Sequence, residues 1–277
     1  MPKQLPDGRN VLYAWFSAMH TRVDIVLLGY SEVAVLQGVA ESVEAEVARI
    51  EKFANRFDAA SELSSVNRLA YEQALPIGAE LSEILLECEK LRQNTLGYFD
   101  IAVGAGLALD APRYTLEKQE IKLAQPNVKL DLSGYIKGYA LRRVKQILDA
   151  EAIADALINI GNSSIMALGN HPFGKGWAVQ AAQTEQTYTL HNECLTTSGK
   201  HAETPWPIIN PKSGKVAEQG KAVSVITTDG AVGEAMAKAL FLANEEEKSL
   251  ILAPQPPQDL PPNPLKGEKD SHVINEK

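Results

Sequence analysis

Leu130-Asp131-Leu132-Ser133-Gly134-Tyr135-Ile136-Lys137-Gly138 closes an apolar run, brackets a lysine with two glycines and opens an amphipathic helix. The helix follows from Ile136, Ala140, Val144, Ile147 and Leu148, apolar positions that recur near the helical period. Backbone N–H groups are unpaired at such a helix start, and the dipole there favours anions. Gly134 and Gly138 allow close approach to the backbone, and Lys137 adds a mobile positive charge. The stretch reads as a cradle for phosphate or diphosphate. It contains neither a Walker loop nor a G-x-G-x-x-G fingerprint, so an ordinary strand-to-helix connection stays open as its other reading.

The 277 residues are 45% hydrophobic and 22% charged, an ordinary globular composition. That length suits one large domain or two intimately packed lobes. A net charge of −8, with no basic stripe interleaved with aromatics, argues against a nucleic-acid binder. Cys88 and Cys194 are the two cysteines and demand neither a disulfide nor a zinc site. Cys88 shares an apolar helical face with Leu81, Ile84, Leu85 and Leu91, which predicts a buried packing role. The chain starts without an apolar leader core or a lipid-attachment cysteine, and no run is long and apolar enough to span a membrane. As written it reads as cytoplasmic.

Outward from the cradle, β-branched and aromatic residues predict early strands over 11–19 and 22–28. Ser31 suits a helix N-cap before the stripe Val33, Leu36, Ala40, Val43, Val47, Ile50 and Ala54. A polar loop over 55–67, a helix over 79–95 and short strands and turns over 107–130 follow. Beyond the cradle helix come strands over 156–160, 164–168, 177–181 and 188–191, Gly/Pro-rich loops over 196–220, a strand over 222–227 and a helix over 231–243. From Pro254 the composition predicts a Pro-rich disordered tail over 254–277, leaving one domain over 1–253. The order of elements predicts an α+β fold of mixed or antiparallel sheets with packed helices.

Five separated segments resemble, in order and approximate spacing, the ApbE-type flavin transferases. They are Phe16-Ser17-Ala18-Met19-His20-Thr21, Ser61-Glu62-Leu63-Ser64-Ser65-Val66-Asn67, Gly97-Tyr98-Phe99-Asp100, the stretch from Asp131 to Gly138, and a fifth, discontinuous set. That set runs from Thr197-Ser198-Gly199 through Ile208-Ile209-Asn210-Pro211-Lys212-Ser213-Gly214 to Gly233-Glu234-Ala235-Met236-Ala237-Lys238-Ala239-Leu240-Phe241. The resemblance implies an enzyme that binds FAD, uses Mg²⁺ and passes FMN to a Ser or Thr hydroxyl of a target flavoprotein. Phosphoryl transfer of this kind depends on positioning and charge neutralisation. By position, the resemblance implies that Met19 packs on the flavin nucleotide and that Ala60 and Ser61 lie beside it. Asp100 would accept from the adenosine part, Lys137 would contact FAD, and Thr197, Ser198 and Gly199 would line the site. The Gly134 carbonyl would ligate the metal, and Glu234, by the resemblance the catalytic carboxylate, and Lys238 stand where the family places an Asp and a Thr as further ligands. Read singly, each has an ordinary role as well: Met19 in the core, Ser61 as a helix cap, Asp100 in a turn, Thr197 to Gly199 in a loop.

The departures bear on the chemistry. His20 replaces a glycine and reads as an exposed strand residue, Asn162 replaces the second glycine of an Asn-x-Gly-Gly, and Pro207 and Asn210 replace a histidine and an aspartate. The connection from Asp100 to Asp131 is short for the family. Glu234 is a longer carboxylate, and a protonated Lys238 cannot ligate a hard cation. Two outcomes stay open: Lys238 supplies the positive charge in place of the metal, or the pair is a plain salt bridge and the site no longer turns over. The second makes the chain an FAD-binding carrier or sensor.

Overall fold

The computed structural model describes residues 2–102, 107–108, 110–184, 186–199, 207–217, 220–253 and 272–273. Alternating apolar positions build the first hairpin, β2 (Asn10–Ala18) and β3 (Thr21–Gly29), edged by β1 (Pro2–Gln4). Its register pairs Ala18 with Thr21, so the loop is only Met19-His20. Both residues have positive φ, 51° and 58°, the geometry that matches strand twist in a two-residue hairpin. Met19 and His20 are therefore turn residues, not the strand residues expected, because closing the hairpin this tightly needs two left-handed positions.

Helix α1 (Val33–Ala54) buries Leu36, Ala40, Val43, Val47, Ile50 and Ala54, as its stripe predicts. Its N-cap is Glu32 rather than Ser31, with no side-chain cap. The polar loop expected over 55–67 is corrected from Glu62 onward by α2 (Glu62–Leu69), whose N-cap Ser61 accepts from the Ser64 N–H at 3.0 Å. Then come β4 (Leu75–Pro76), α3 (Ala79–Asn94), β5 (Tyr114–Glu117) and β6 (Glu120–Leu123), with the three short strands forming a small sheet.

The cradle helix α4 (Ile136–Ala150) leads into β7 (Asp155–Ile160) and β8 (Ser164–Leu168). After them come β9 (Trp177–Gln180), β10 (Thr187–Leu190), β11 (Glu193–Ser198), β12 (Val223–Thr227), α5 (Gly230–Leu242) and α6 (Glu245–Leu252). Residues 196–198, expected in a loop, belong to β11, and α6 had not been expected. Within the tail expected to be disordered, β13 (His272–Val273) pairs with Val225 and Ile226; residues 254–271 and 274–277 lie outside the described residues.

The main sheet runs β1-β2-β3-β7-β8-β11-β12-β13, every pairing antiparallel. Helices α1, α4 and α5 share a core with it, and Trp177, Val179 and Leu190 of the β9–β10 hairpin cover a second core with Ile165, Ala167 and Leu195. All residues of β8 are buried, as befits a strand covered on both faces. This is the α+β fold expected. Cys88 and Cys194 are both in the core, where burial pushes their thiols up, Cys194 to about 12, so neither is an activated nucleophile.

Helices α4 and α5 meet backbone to backbone. A Cβ added to Gly138 would lie 2.1 Å from the Gly230 carbonyl oxygen, closer than any side chain permits. Gly138 thus serves helix packing, not the ligand approach its place in the cradle suggested. No helix among the described residues is long and apolar enough to cross a membrane.

Candidate functional site

The cradle stretch is a junction. The Asn67 side chain, at the end of α2, donates to the Leu130 carbonyl at 2.8 Å and accepts from the Leu130 N–H at 2.7 Å. The Asp131 N–H donates to the Ile101 carbonyl at 2.7 Å, docking the turn that carries Asp100. Arg56 pairs with the Asp131 carboxylate at 3.0 Å. Two of the segments that flank the cradle in space are thereby fixed to it by backbone-directed bonds.

From the cradle a string of polar groups crosses to the sheet and back. Lys137 Nζ donates to Ser163 Oγ in the turn between β7 and β8. Ser163 Oγ lies 3.5 Å from Ser164 Oγ, and Ser164 Oγ donates to Glu234 Oε1 at 2.5 Å. Glu234 Oε2 accepts from Lys238 Nζ at 2.5 Å. The string closes on the cradle, because a Cβ at Gly134 would meet Lys238 Cε at 2.9 Å and Cδ at 3.4 Å. Gly134, Lys137, Glu234 and Lys238, separated by a hundred residues of sequence, are in one place.

Local chemistry sets each part. Asp229 caps α5 by accepting from Ala231 N–H at 2.8 Å, and the following turns place Glu234 and Lys238 on one face. The β7–β8 turn needs left-handed residues, supplied by Gly161 (φ 64°) and Asn162 (φ 60°). Asn162 keeps the conformation of the glycine it replaces, since asparagine tolerates this region and its N–H donates to Asn159 Oδ1 at 2.9 Å. A Cβ at Gly161 would strike Thr21 Oγ1 at 2.6 Å, so the Met19-His20 hairpin rests directly on this turn.

Burial works against the charge of Glu234, 3% exposed, but Lys238 and Lys137 together with the Lys238 and Ser164 hydrogen bonds hold its carboxyl below the usual range. Burial pushes the Lys137 ammonium down; Glu234 opposes that and Lys238 adds to it. Two cations therefore share one buried carboxylate. Thr196 Oγ1 lies beside this cluster, buried and without a partner among the described residues, against Gly233.

The remaining expected residues sit in the surrounding frame. Met19 packs against the main core, as its bland reading held. Ser61 spends its oxygen on the α2 cap, and the exposed Ala60 donates its N–H to Asp58 Oδ1 at 2.9 Å. Asp100 is buried with its carboxylate engaged inside the chain: Arg113 Nε and Nη2 each reach Oδ2 at 2.8 Å, and the Ala102 N–H donates to Oδ1 at 2.8 Å. Thr197 Oγ1 pairs with Ser224 Oγ at 2.9 Å, Ser198 lies opposite Val223, and a Cβ on Gly199 would meet Ala222 Cβ at 2.8 Å. The 208–214 turn is tied to Tyr98 through Lys212, which lies 3.7 Å over that ring, and both reach Glu247. No hydrogen bond among the described residues joins Met19, Ala60, Ser61, Asp100, Ser198 or Gly199 to the Lys137–Lys238 string.

Sequence reasoning missed Ser163, Ser164, Thr196 and Arg113. A serine opening a wholly apolar strand must find a partner for its hydroxyl, and that was the available signal for Ser164. Arg113 carried none, because its partner is fixed only by the fold.

The donor set does not fit a resident Mg²⁺, which takes oxygen ligands in near-octahedral array. Lys238 presents an ammonium with no lone pair, and it holds the Glu234 carboxylate. No group of three or more His, Cys, Asp or Glu side chains that could hold a metal ion occurs among the described residues. At the positions expected as metal ligands, Gly134, Glu234 and Lys238, the described residues form a salt bridge packed on a glycine.

The sequence matches the ApbE family over residues 19–260. A protein named FAD:protein FMN transferase from Chlamydia trachomatis is 26% identical over 237 residues, covering 73% of this chain and 74% of that protein. One of the same name from Rhodobacter capsulatus is 28% identical over 240 residues, covering 70% of this chain and 45% of its own. Among solved structures, the apo flavinyl transferase ApbE of Pseudomonas stutzeri superposes with a TM-score of 0.77 at 18% identity, covering 88% of each chain. The flavin transferase ApbE of Vibrio cholerae gives 0.75 at 16% identity, over 88% of this chain and 91% of that one. The likeness shows that the fold is shared.

Proposed function

This chain belongs to the ApbE family, and we propose that it is an FAD:protein FMN transferase acting through a single domain over residues 1–253. An acceptor Ser or Thr hydroxyl oxygen of a target flavoprotein attacks the phosphorus on the FMN side of the FAD diphosphate. The new O–P bond forms as the bridging O–P bond breaks. AMP leaves with the electron pair, and the hydroxyl proton passes to solvent. Lys137 from the cradle and Lys238 from α5 face the diphosphate and neutralise the charge that develops on it. Glu234, read from sequence as the catalytic carboxylate, holds Lys238 in position instead. Met19, Ala60, Ser61, Ser198 and Gly199 shape the walls for the nucleotide, and Asp100, held by Arg113, lies on the adenosine side.

The observation that carries this reading is the convergence of Gly134, Lys137, Glu234 and Lys238 through the bonded string. The test is to incubate the chain with FAD and a flavoprotein domain bearing an acceptor Ser or Thr, with Mg²⁺ and separately with EDTA. A target band that stays fluorescent after denaturation and gains the mass of FMN is the expected result. Its absence under both conditions rejects transfer. One observation favours a second reading, an FAD-binding carrier or sensor without turnover: Lys238, where the resemblance implies a metal-ligating Thr, is an ammonium paired with Glu234. FAD binding without any labelling selects that reading.

A further inference from the structure

We propose that the Lys238 ammonium is a tethered replacement for a divalent cation, so that this chain binds the FAD diphosphate without metal. The inference rests on the FAD reading above. Its first ground is position. Lys238 Nζ is 2.5 Å from Glu234 Oε2, and its stem lies across Gly134, where any side chain would displace it. An incidental helix-surface pair at this spacing would be exposed at both ends. Here the carboxylate is 3% exposed and is reached from the other side by Ser164.

The second ground is charge balance. The charged groups acting on Lys137 are Glu234 and Lys238, so two ammoniums face one carboxylate. One positive charge in this largely enclosed cluster is left without a counter-charge from the described residues. An enclosed cation calls for an anion, and a diphosphate meets it with several acceptor oxygens. The third ground is exclusion. A divalent ion at Glu234 would sit beside both ammoniums and would have to displace Lys238 from its only hydrogen-bond partner among the described residues.

The test is a titration of FAD by flavin fluorescence, in EDTA and in Mg²⁺, for wild type, Lys238→Met, Lys238→Arg and the double variant Glu234→Asp/Lys238→Thr. Wild type binds equally in both media, within about twofold. Lys238→Met weakens binding roughly tenfold in both, Lys238→Arg keeps metal-independent binding, and the double variant regains a Mg²⁺ response of about tenfold. Mn²⁺ binding followed by paramagnetic resonance on FAD-free protein gives an independent readout, with no uptake by wild type and uptake by the double variant. Wild-type binding that appears only with Mg²⁺, Mn²⁺ uptake by wild type, or a Lys238→Met variant that binds FAD normally overturns the replacement while leaving the FAD reading intact. Wild type that binds FAD in neither medium overturns both. Should the double variant fail to fold by circular dichroism, the Met and Arg arms decide alone.

Discussion

Helices α4 and α5 carry two charge clusters built to opposite balances. In one, the Arg142 guanidinium meets Glu87 at 2.7 and 2.6 Å and Asp229 at 2.7 and 2.9 Å. Tyr135 donates to the same Glu87 at 2.9 Å. One cation is enclosed by two carboxylates, every contact is a bonded one, and three helices are tied together. In the other, Lys137 and Lys238 share Glu234, with two cations to one anion and the Thr196 hydroxyl, which has no partner among the described residues, alongside. In the first cluster every charged group bonds directly to one of opposite sign, whereas in the second the Lys137 ammonium bonds a serine hydroxyl and no carboxylate among the described residues. Burial opposes its charge, and perturbed groups of that kind gather at functional sites.

The comparison breaks most completely if the frame common to both clusters is disturbed. Gly138→Ala drives a methyl into the Gly230 backbone and should cost at least about 3 kcal/mol in urea unfolding, with flavin binding lost alongside. A stability change under about 1 kcal/mol would mean that the helices yield easily and the spacing of both clusters is soft. Next in size, Arg142→Met leaves Glu87 and Asp229 without their cation. A loss of about 2 kcal/mol is expected, below the range for a fully buried pair because all three side chains are partly exposed, with FAD affinity of the folded protein unchanged. The sharpest test is the smallest in stability. Lys137→Met removes a surplus cation and should change folding by less than about 1 kcal/mol while weakening FAD binding roughly tenfold. A Lys137→Met variant as destabilised as Arg142→Met would erase the distinction between the clusters.

Much of the frame was legible because its signals are local. The stripe of α1, the amphipathic run of α4 and the alternation in β2 and β3 each follow from burial on one face. Strand β11 was not, since Thr196, Thr197 and Ser198 look like loop residues until Ser224 appears across the ladder to pair with Thr197. Helix α2 hid behind a polar sequence with few buried positions, Leu63, Ser64 and Val66. Helix α6 had its signal in Asn244 and Glu247, which form a reciprocal capping box that went unread. At the site, the resemblance brought out Gly134, Lys137, Glu234 and Lys238, which the structure assembles. It could not separate the glycines: Gly134 accommodates Lys238, whereas Gly138 accommodates another backbone. Nor could it show that Asp100 is tied to Arg113, a pairing made by tertiary contact alone.

The meeting of Gly138 and Gly230 has a consequence for how such a site can diverge. Backbone against backbone fixes the separation of the two helices without reference to any side chain, so the distance from cradle to opposite wall is indifferent to what that wall carries. Carboxylate, hydroxyl or ammonium can be exchanged at 234 and 238 while the jaws stay at one gauge. The scaffold is thereby free to trade one kind of counter-charge for another in two substitutions, with no repacking of the core that holds it.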